Sequence, residues 1–333
     1  MAMKESGIEW VGSIPDTWDV IPNKYIMHKE KNLCEKWTGE DVMSLTMNGV
    51  IVRDLQNPTG KMPATFDGYQ YIEDGDLLMC LFDIDVTPRC IGKVTHNGVT
   101  SPAYSNFKTH DNASRDYYYY YYLMVDNTKE LLHLAKNLRH SFTEEQLGSL
   151  KVPMPPLTEQ QVIADYLNEK CSKIDDIIAE ANASVEEYKE LKQAVIDNAT
   201  MTGIHDSEMK YTDYVWFPEM PKSWNLVLAS LLFREDVRPI DANDVSLSLS
   251  QVDGLIPTDD MSERSLKSAT HDNWKHVIPD DLVLNRFKGH LGVFFASKYT
   301  GMVSFHYGVY HAIRDDVYAK YYEYLFHSTT YKN

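Results

Sequence analysis

The sequence lacks the features that mark membrane, secreted and zinc-binding proteins. No apolar run approaches the roughly 18 to 20 residues that cross a bilayer, and the first ten residues contain no apolar core of a signal peptide. The cysteines form no CxxC pair, so their spacing indicates neither a disulfide framework nor a zinc site. These absences predict a cytoplasmic protein with no membrane partner.

Motifs for nucleotide, metal and methyl-transfer chemistry are missing as well. The sequence contains no GxxxxGK[ST] loop and no HExxH pair. The string Asn57-Pro-Thr-Gly60 lacks the second proline and the aromatic residue of an adenine methyltransferase motif. Asp74, Asp76, Asp83 and Asp85 could indicate a nuclease metal site, but no acid-x-Lys pair follows them at the distance that such a site requires. We therefore expect recognition without catalysis and no bound metal; a metal-dependent enzyme that uses these acids is the alternative of a different class.

An excess of basic residues is also missing. The chain has 49 acidic against 32 basic residues and a net charge of -17. Proteins that coat nucleic acid non-specifically need clustered lysine and arginine to release phosphate counterions. The composition therefore excludes that class, while a local basic face stays possible.

An internal repeat is present. Ile14-Pro-Asp-Thr-Trp-Asp-Val20 recurs as Met220-Pro-Lys-Ser-Trp-Asn-Leu226, and Trp10 recurs as Trp216, both 206 positions on. The later matches drift in register, and they pair Ser44-Leu45 with Ser248-Leu249, Asp76-Leu77 with Asp281-Leu282, Gly98 with Gly301, and Tyr120–Leu123 with Tyr322–Leu325. This drift is what loop-length variation between two copies of one domain produces.

The repeat predicts an α+β chain with two similar, mainly-β domains that contain some helix. Asn48-Gly49, Asp67-Gly68, Asp74-Gly75, Asn97-Gly98, Asp253-Gly254 and Thr300-Gly301 are typical of turns between short strands. The six tyrosines Tyr117 to Tyr122 are interpreted as a strand with one wet face. We place the first domain at 1–150 and the second at 206–333, where the second copy is incomplete because it lacks its closing helix.

Residues 151–205 are predicted to form a proline hinge and a long coiled-coil spacer helix. Pro153, Pro155 and Pro156 keep the approach extended, Thr158 with Gln161 forms a capping box, and Gly203 ends the helix. Apolar residues recur at heptad spacing and form a seam of Leu167, Cys171, Ile174, Ile178, Ala181, Val185, Tyr188 and Val195, with Lys192 as a misfit. Such a rod would hold two similar readers apart along DNA, which turns about every 34 Å.

With these features the sequence resembles the specificity subunit of a type I restriction-modification system, truncated at its C-terminus. The resemblance rests on Gly7-Ile8-Glu9-Trp10 with Ile14-Pro15 and Trp18, on Val152–Gln160 followed by Ile163-Ala164, and on Ala199–Ile204. It implies two target-recognition domains that each read half of a bipartite double-stranded DNA site. It also implies helices that dock modification (methyltransferase) subunits and, through them, restriction (translocase and nuclease) subunits. S-adenosylmethionine, ATP and Mg would bind to those partners, and this chain would bind no cofactor.

The missing second helix leaves the seam without a partner inside the sequence. One alternative is a homodimer that pairs through the spacer helix and reads a palindromic site. Another is an inactive remnant or silent recombination cassette. The sequence leaves these alternatives open.

Base recognition needs arginine, lysine, asparagine or aromatic side chains that reach the DNA grooves and phosphates. The stretches that follow the Asp-Leu strand in each copy supply such residues at equivalent places. The DNA-contact candidates are Arg89, Lys93, Tyr104, Asn106 and Lys108 in the first copy and Arg286, Lys288, Lys298 and Tyr307 in the second.

Overall fold

Short β-strands between glycine and asparagine turns make up most of the chain. The computed structural model describes residues 2–58, 62–135, 140–215, 217–250, 253–261, 271–287 and 294–332. The chain forms two units, Met1–Ile178 and Ala179–Asn333. None of the helices in these described ranges is both long enough and apolar enough to cross a membrane.

The first unit contains thirteen described strands. They are β1 (Met3–Glu5), β2 (Ser13–Pro15), β3 (Asp19–Pro22), β4 (Met27–Glu30), β5 (Leu33–Cys34), β6 (Val42–Thr46), β7 (Gly49–Val52), β8 (Tyr69–Ile72), β9 (Leu77–Met79), β10 (Ile91–Lys93), β11 (Gly98–Thr100), β12 (Ser105–Thr109) and β13 (Lys151–Met154). Two sheets carry the core, with orders β10-β9-β12-β4 and β5-β8-β11-β6-β7. Strands β1 and β2 form a hairpin, and β13 pairs with β3.

Three helices belong wholly or partly to this unit. They are α1 (Arg115–Asn127), α2 (Glu144–Ser149) and α3 (Leu157–Thr202). The main core cluster lies where α1 and the start of α3 pack on the four-stranded sheet, and it includes Leu77, Phe107, Tyr118, Val152 and Ala164.

The second unit contains the end of α3 and ten described strands. The strands are β14 (Met209–Tyr214), β15 (Phe217–Pro221), β16 (Phe233–Glu235), β17 (Val245–Ser250), β18 (Gly254–Pro257), β19 (Lys275–Val277), β20 (Leu282–Asn285), β21 (Phe294–Ala296), β22 (Gly301–Val303) and β23 (Tyr307–Ala312). Two helices follow, α4 (Ala319–Phe326) and α5 (Thr329–Lys332). The sheet orders are β16-β23-β20-β21 and β18-β17-β22-β19.

The two units repeat one topology, which confirms the internal repeat. The order β10-β9-β12-β4 corresponds strand for strand to β21-β20-β23-β16, and β8-β11-β6-β7 corresponds to β19-β22-β17-β18. Each second sheet contains one parallel pair, β11 with β6 and β22 with β17, among antiparallel neighbours. The predicted α+β class with two mainly-β copies and a long helix is confirmed.

Four of the predicted turn glycines have positive φ, and two predicted turns are wrong. Gly49, Gly68, Gly75 and Gly254 have φ between +77° and +98°, a region that L side chains disfavour. Gly98 and Gly301 instead begin β11 and β22. A Cβ atom would lie 2.4 Å from the Asp41 carbonyl oxygen at Gly98 and 2.4 Å from the Val245 carbonyl oxygen at Gly301. These glycines allow a parallel neighbour to approach closely.

The tyrosine run is a helix, so its interpretation as a strand was wrong. Tyr117, Tyr118, Tyr121, Tyr122 and Val125 are buried, and this set repeats with the period of an α-helix. The Ser114 hydroxyl caps the helix by accepting a hydrogen bond from the Tyr117 amide. Six identical residues carry no polar and apolar alternation, so the sequence pattern could not reveal the helical period.

The ends of α3 correct one prediction and confirm another. The Pro156 carbonyl accepts from the amides of Glu159 and Gln160, so the helix begins at Leu157 and Thr158 lies inside it. The predicted capping box at Thr158 is therefore wrong, and the Gln161 side chain bonds Asp165 instead. Gly203, with φ of +80°, follows the last helical residue as predicted.

Candidate functional site

In the first unit a cationic cluster lies between β10 and α1. We define it as Arg89, Lys93 and Arg115, which lie around the carboxylate of Asp116 and the ring of Tyr119. Lys93 Nζ lies 3.2 Å from Asp116 Oδ1 and 5.8 Å from the Tyr119 ring centroid. Arg115 Nε also donates to Asp116 Oδ1, at 3.1 Å. The three cations outnumber the carboxylates of Asp116 and of Asp175, whose charge also acts on Tyr119, so the cluster keeps a surplus of positive charge.

Arg89 is fixed by three hydrogen bonds to uncharged groups. Its Nε donates to the Ile91 carbonyl at 3.0 Å, its Nη1 to the Met47 carbonyl at 2.9 Å, and its Nη2 to the Tyr119 hydroxyl at 2.6 Å. Because none of these acceptors is a carboxylate, the guanidinium keeps its charge uncompensated while its orientation is set. It joins the β6–β7 turn, β10 and α1.

Asp116 is held ionised by its neighbours. Burial raises its pKa, but the hydrogen bond from Asn168 and the charge of Lys93, together with bonds from Arg115 and Lys93, outweigh burial and bring the pKa below the usual value. Asn168 Nδ2 donates to Asp116 Oδ2 at 3.0 Å, and the Tyr120 hydroxyl donates to Asn168 Oδ1 at 2.9 Å. The first turns of α3 thus orient the carboxylate that organises the cluster.

Exposure in the cluster decides which cations can meet a ligand. The Arg115 side chain is 41% exposed and that of Lys93 is 25% exposed. Arg115 packs over Gly75, where a Cβ atom would lie 2.0 Å from Nη1. The sequence analysis did not select Arg115 as a contact candidate. The available signal was the position of Arg115 directly after Ser114, the residue that caps α1.

Asn106 is corrected from a DNA-contact candidate to a buried structural residue. It is 1% exposed, and its Nδ2 donates to Asp76 Oδ2 at 2.6 Å. A side chain that is buried on the inner strand β12 and bonded to Asp76 cannot reach a groove. The sequence Ser-Asn-Phe-Lys-Thr does not show which side chains of β12 face the core. Asn106 was therefore assigned to a loop-rich stretch and not to a buried strand position.

The other candidates of the first copy are Tyr104, directly before β12, and Lys108, on β12, which is an inner strand of the four-stranded sheet. Tyr104 is half-buried against the cluster of Met43, Ile72 and Leu78, and burial raises its pKa. Lys108 Nζ lies 2.8 Å from Glu73 Oε2 on the surface. Lys108 and the cations of the cluster are therefore partly exposed, and Lys108 is paired with a carboxylate.

In the second unit, Arg286 pairs with Glu235, which Lys275 Nζ also contacts at 3.1 Å. Lys298 is exposed, and Tyr307 is half-buried, with its pKa raised by burial. Lys288 lies outside the described residues, as does Trp216 of the repeat. Tyr104 directly precedes β12 and Tyr307 begins β23, so these two candidates occupy equivalent places in the two copies. Arg89 lies just before β10, whereas Arg286 directly follows β20, so the two arginines do not.

Two buried polar positions recur in both units and stabilise the same turns. Asp76 accepts from the Glu73 amide and Asp281 accepts from the Ile278 amide, both at 2.9 Å. Gln70 Nε2 donates to the Tyr104 carbonyl and Lys275 Nζ donates to the Tyr307 carbonyl, both at 2.7 Å. The repeated Asp-Leu pair in the sequence was the signal for the first position.

The acids considered as a nuclease site have separate partners. Asp76 bonds Asn106, and Asp85 lies 3.2 Å from His140 Nδ1. Within the described ranges, no three His, Cys, Asp or Glu side chains are grouped so that they could hold a metal ion.

The predicted seam along α3 is exposed over most of its length. Leu167 and Cys171 are half-buried in the first unit. The remaining seam residues, Ile174, Ile178, Ala181, Val185, Tyr188 and Val195, are exposed. An apolar row of this kind on a polar helix is typical of a surface that another helix covers.

Comparison with known proteins identifies the domain and the fold. Residues 84–187 match the family described as "Type I restriction modification DNA specificity domain". The HsdS subunit from Thermoanaerobacter tengcongensis is similar in structure with 13% identity, a TM-score of 0.50, and coverage of 94% of this chain and 80% of that chain. A structure titled for complex assembly and conformational transition of the type I R-M system has 12% identity, a TM-score of 0.55 and the same coverage. No curated protein sequence matches the chain.

These findings confirm the resemblance to a type I specificity subunit. The matched residues run from the loop before β10 through α1 and β13 into α3, so they contain the cationic cluster and the first part of the seam. The truncation remains a prediction.

Proposed function

We propose that the chain is the DNA sequence-recognition subunit of a type I restriction-modification system. The premise is that it carries a type I restriction-modification DNA specificity domain and has the HsdS fold. The repetition of one sheet topology in both units carries this proposal. Two homologous readers in one chain suit a DNA site with two separate half-sequences. The chain supplies recognition, and catalysis belongs to other subunits.

The cationic cluster is proposed to contact the phosphate backbone in the first unit. Its surplus positive charge favours binding of a polyanion such as DNA. Hydrogen bonds fix Arg89, and Arg115 is the more exposed cation, so the geometry of this cationic surface is set before DNA binds. Lys108, which is paired with Glu73 on the inner strand β12, is a further candidate contact of this unit. Among the candidates of the second unit, Arg286 and Lys298 are exposed, and Lys288 remains a candidate from sequence alone.

The partners follow from the same proposal. Modification subunits would dock on the exposed seam of α3, and restriction subunits would join through them. S-adenosylmethionine, ATP and Mg would be bound by those subunits. Because the chain has a net charge of -17, we expect weak DNA binding by the chain alone and tighter binding in the assembled complex. The complex would work in the cytoplasm, where DNA and these cofactors are available.

Selection from a random duplex pool tests this function. The chain is assembled with its cognate modification subunits, and the duplexes that it retains are sequenced. We expect two short blocks of fixed sequence at constant separation, absent when the modification subunits are used without the chain. A retained pool with no sequence preference would contradict the proposal.

A homodimer on a palindromic site is the second candidate, and the exposed seam favours it. Pairing of Ile174, Ile178 and Val185 with the same residues of another copy would bury this apolar row. Analytical ultracentrifugation of the purified chain distinguishes the two candidates. If the chain is a dimer and the Ile178→Asp substitution dissociates it, the homodimer is supported. A monomer at micromolar concentration supports the heteromeric complex.

A further inference from the structure

The second unit exposes three aromatic rings that contact one another. We define the aromatic cluster as Phe287, which follows β20, together with Phe305 and His306, which lie between β22 and β23. The ring centroids of Phe287 and His306 are 4.8 Å apart, and those of Phe305 and His306 are 3.8 Å apart. Phe287 is 71% exposed, Phe305 is 51% exposed, and His306 is exposed as well. Because phenylalanine is usually buried, grouped rings on the surface indicate a binding surface.

A hydrogen-bonded turn holds two of these rings in place. The Tyr307 amide donates to the Ser304 carbonyl at 3.1 Å, which closes a turn with Phe305 and His306 at its corners. The Tyr307 carbonyl in turn accepts from Lys275 Nζ at 2.7 Å, and Lys275 is 6% exposed. The rings are therefore exposed on backbone that a buried side chain fixes, which lowers the entropy cost of binding a ligand.

The third ring lies directly after an arginine. The Phe287 amide donates to Asn285 Oδ1 at 3.0 Å, so the chain turns sharply after β20. Arg286 pairs with Glu235, which Lys275 also contacts, and the Arg286 side chain is 45% exposed. Two cations thus share one carboxylate beside the aromatic cluster. An apolar surface next to a partly exposed cation suits a ligand that has both anionic and apolar groups, as DNA has in its phosphates and thymine methyl groups.

The first unit forms the same turn with different side chains at its corners. The Tyr104 amide donates to the Ser101 carbonyl at 3.1 Å, and the Tyr104 carbonyl accepts from Gln70 Nε2 at 2.7 Å. The corner residues are Pro102 and Ala103, and both are exposed. The hydrogen bonds that hold the turn are therefore shared by the two units, while the side chains that the turn exposes differ. Two units that recognise different sequences need a difference of this kind.

The packing of the rings decides which feature of DNA they can contact. A side chain that enters between two base pairs acts as a wedge, and a thin wedge must stand apart from its neighbours. His306 touches both Phe287 and Phe305, so no ring of the aromatic cluster stands alone. A packed apolar surface can instead cover base edges, and the C5 methyl group of thymine is the apolar group on those edges in the major groove.

We propose that the aromatic cluster recognises thymine through its C5 methyl group in the half-site that the second unit reads. Phe287 and Phe305 are then specificity-determining side chains, and Arg286 holds a neighbouring phosphate. The inference rests on the proposed function of DNA recognition, and it adds the residues and the base feature that give the second unit its preference. The first unit, with Pro102 and Ala103 at the corners of its turn, would recognise a different sequence.

Selection from a random duplex pool locates the half-site. The complex with modification subunits is assembled with the parent chain and with a chain that carries both Phe287→Ala and Phe305→Ala. We expect the parent chain to fix at least one T·A pair in one block. The double variant should lose this preference while the other block is unchanged, which also shows that the variant is folded and assembled. Tyr211→Ala, at an 86% exposed residue of β14, is the matched control and should retain both blocks.

Deoxyuridine tests the methyl group itself, because it keeps the hydrogen-bonding edge of thymine and lacks only the C5 methyl. The parent complex should bind a duplex with deoxyuridine at the selected position about fourfold more weakly than the thymine duplex, as expected for one buried methyl group. The double variant should bind the two duplexes equally. Fluorescence anisotropy at fixed salt measures the affinities.

Other outcomes separate this inference from the proposed function. If both blocks survive the double variant unchanged, or if deoxyuridine weakens the parent and the variant equally, the inference is overturned and recognition by the chain stands. If 2-aminopurine beside the T·A pair brightens on binding of the parent but not of the double variant, the rings enter between base pairs, and the methyl contact is likewise overturned. If the parent selects no sequence block, both the inference and the proposed function fail.

Discussion

Tyr119 connects the charges of the first unit, because its hydroxyl accepts from Arg89 while Lys93 Nζ lies near its ring. The hydrogen bond holds Arg89 without a carboxylate partner, whereas Lys93 combines its cation–π contact with an ion pair to Asp116. Arg115 is the most exposed member of the cluster. If the cluster meets phosphates, Arg115 should contribute a contact that is insensitive to DNA sequence.

Arg115→Ala tests this role. In the complex with modification subunits, we expect weaker binding to all duplexes and a slope of log K against log salt that is smaller by about 1, because one phosphate contact is lost. Fluorescence anisotropy at several salt concentrations measures both quantities. Lys173→Ala, which changes an exposed lysine on α3 paired with Glu169, is the control and should leave the slope unchanged. An unchanged slope with Arg115→Ala would contradict a phosphate contact.

Asp116→Asn tests the carboxylate that organises the cluster. Its folded-state pKa lies below 3.8, so its stabilising effect is present above that value and is lost as the pH falls through the folded-state pKa. We expect Asp116→Asn to lower the free energy of unfolding at pH 7 by about 1 kcal/mol. This difference should shrink as the pH falls below 3.8. Urea unfolding at a series of pH values measures it, with Asp176→Asn as an exposed control, and a difference that grows at low pH would contradict the account.

At the scale of elements, the sequence predicted features that depend on local chemistry. Glycine turns such as Asp74-Gly75 and the helix end at Gly203 were predicted correctly, because positive φ is a property of the residue itself. The strand interpretation of Tyr117–Tyr122 failed because a homopolymeric run has no period to read. Asn106 was misplaced because its burial depends on Asp76, a tertiary partner thirty residues away.

The paired glycines of the parallel strands give a stability prediction. We expect Gly98→Ala to destabilise the first unit by about 1 to 3 kcal/mol, because its Cβ atom would overlap a backbone carbonyl that cannot move aside. Gly148→Ala is the matched control, since its Cβ would meet the Lys24 side chain at an ordinary 3.5 Å inside α2. We expect that control to be neutral or stabilising by up to about 1 kcal/mol. Thermal unfolding measures both, and a neutral Gly98→Ala would contradict the close approach.

At the scale of the whole molecule, repetition was the strongest signal in the sequence. The Trp18 and Trp224 matches, 206 residues apart, predicted two copies, and the shared sheet orders confirm them. The individual DNA contacts could not be predicted in the same way. Even a buried structural position has diverged between the copies, with Lys275 in place of Gln70. We expect the base-contacting side chains of two units that recognise different sequences to differ as well.

Mapping of N6-methyladenine across the genome tests the central claim, that two homologous units read two half-sites. A host that carries cognate modification subunits is compared with and without this chain, and the methylated positions are aligned. The account predicts a new motif that appears only with the chain and consists of two different blocks separated by a fixed gap. A gapped palindrome would assign recognition to one unit acting as a dimer, and no new motif would remove the role in recognition; either result would contradict the account.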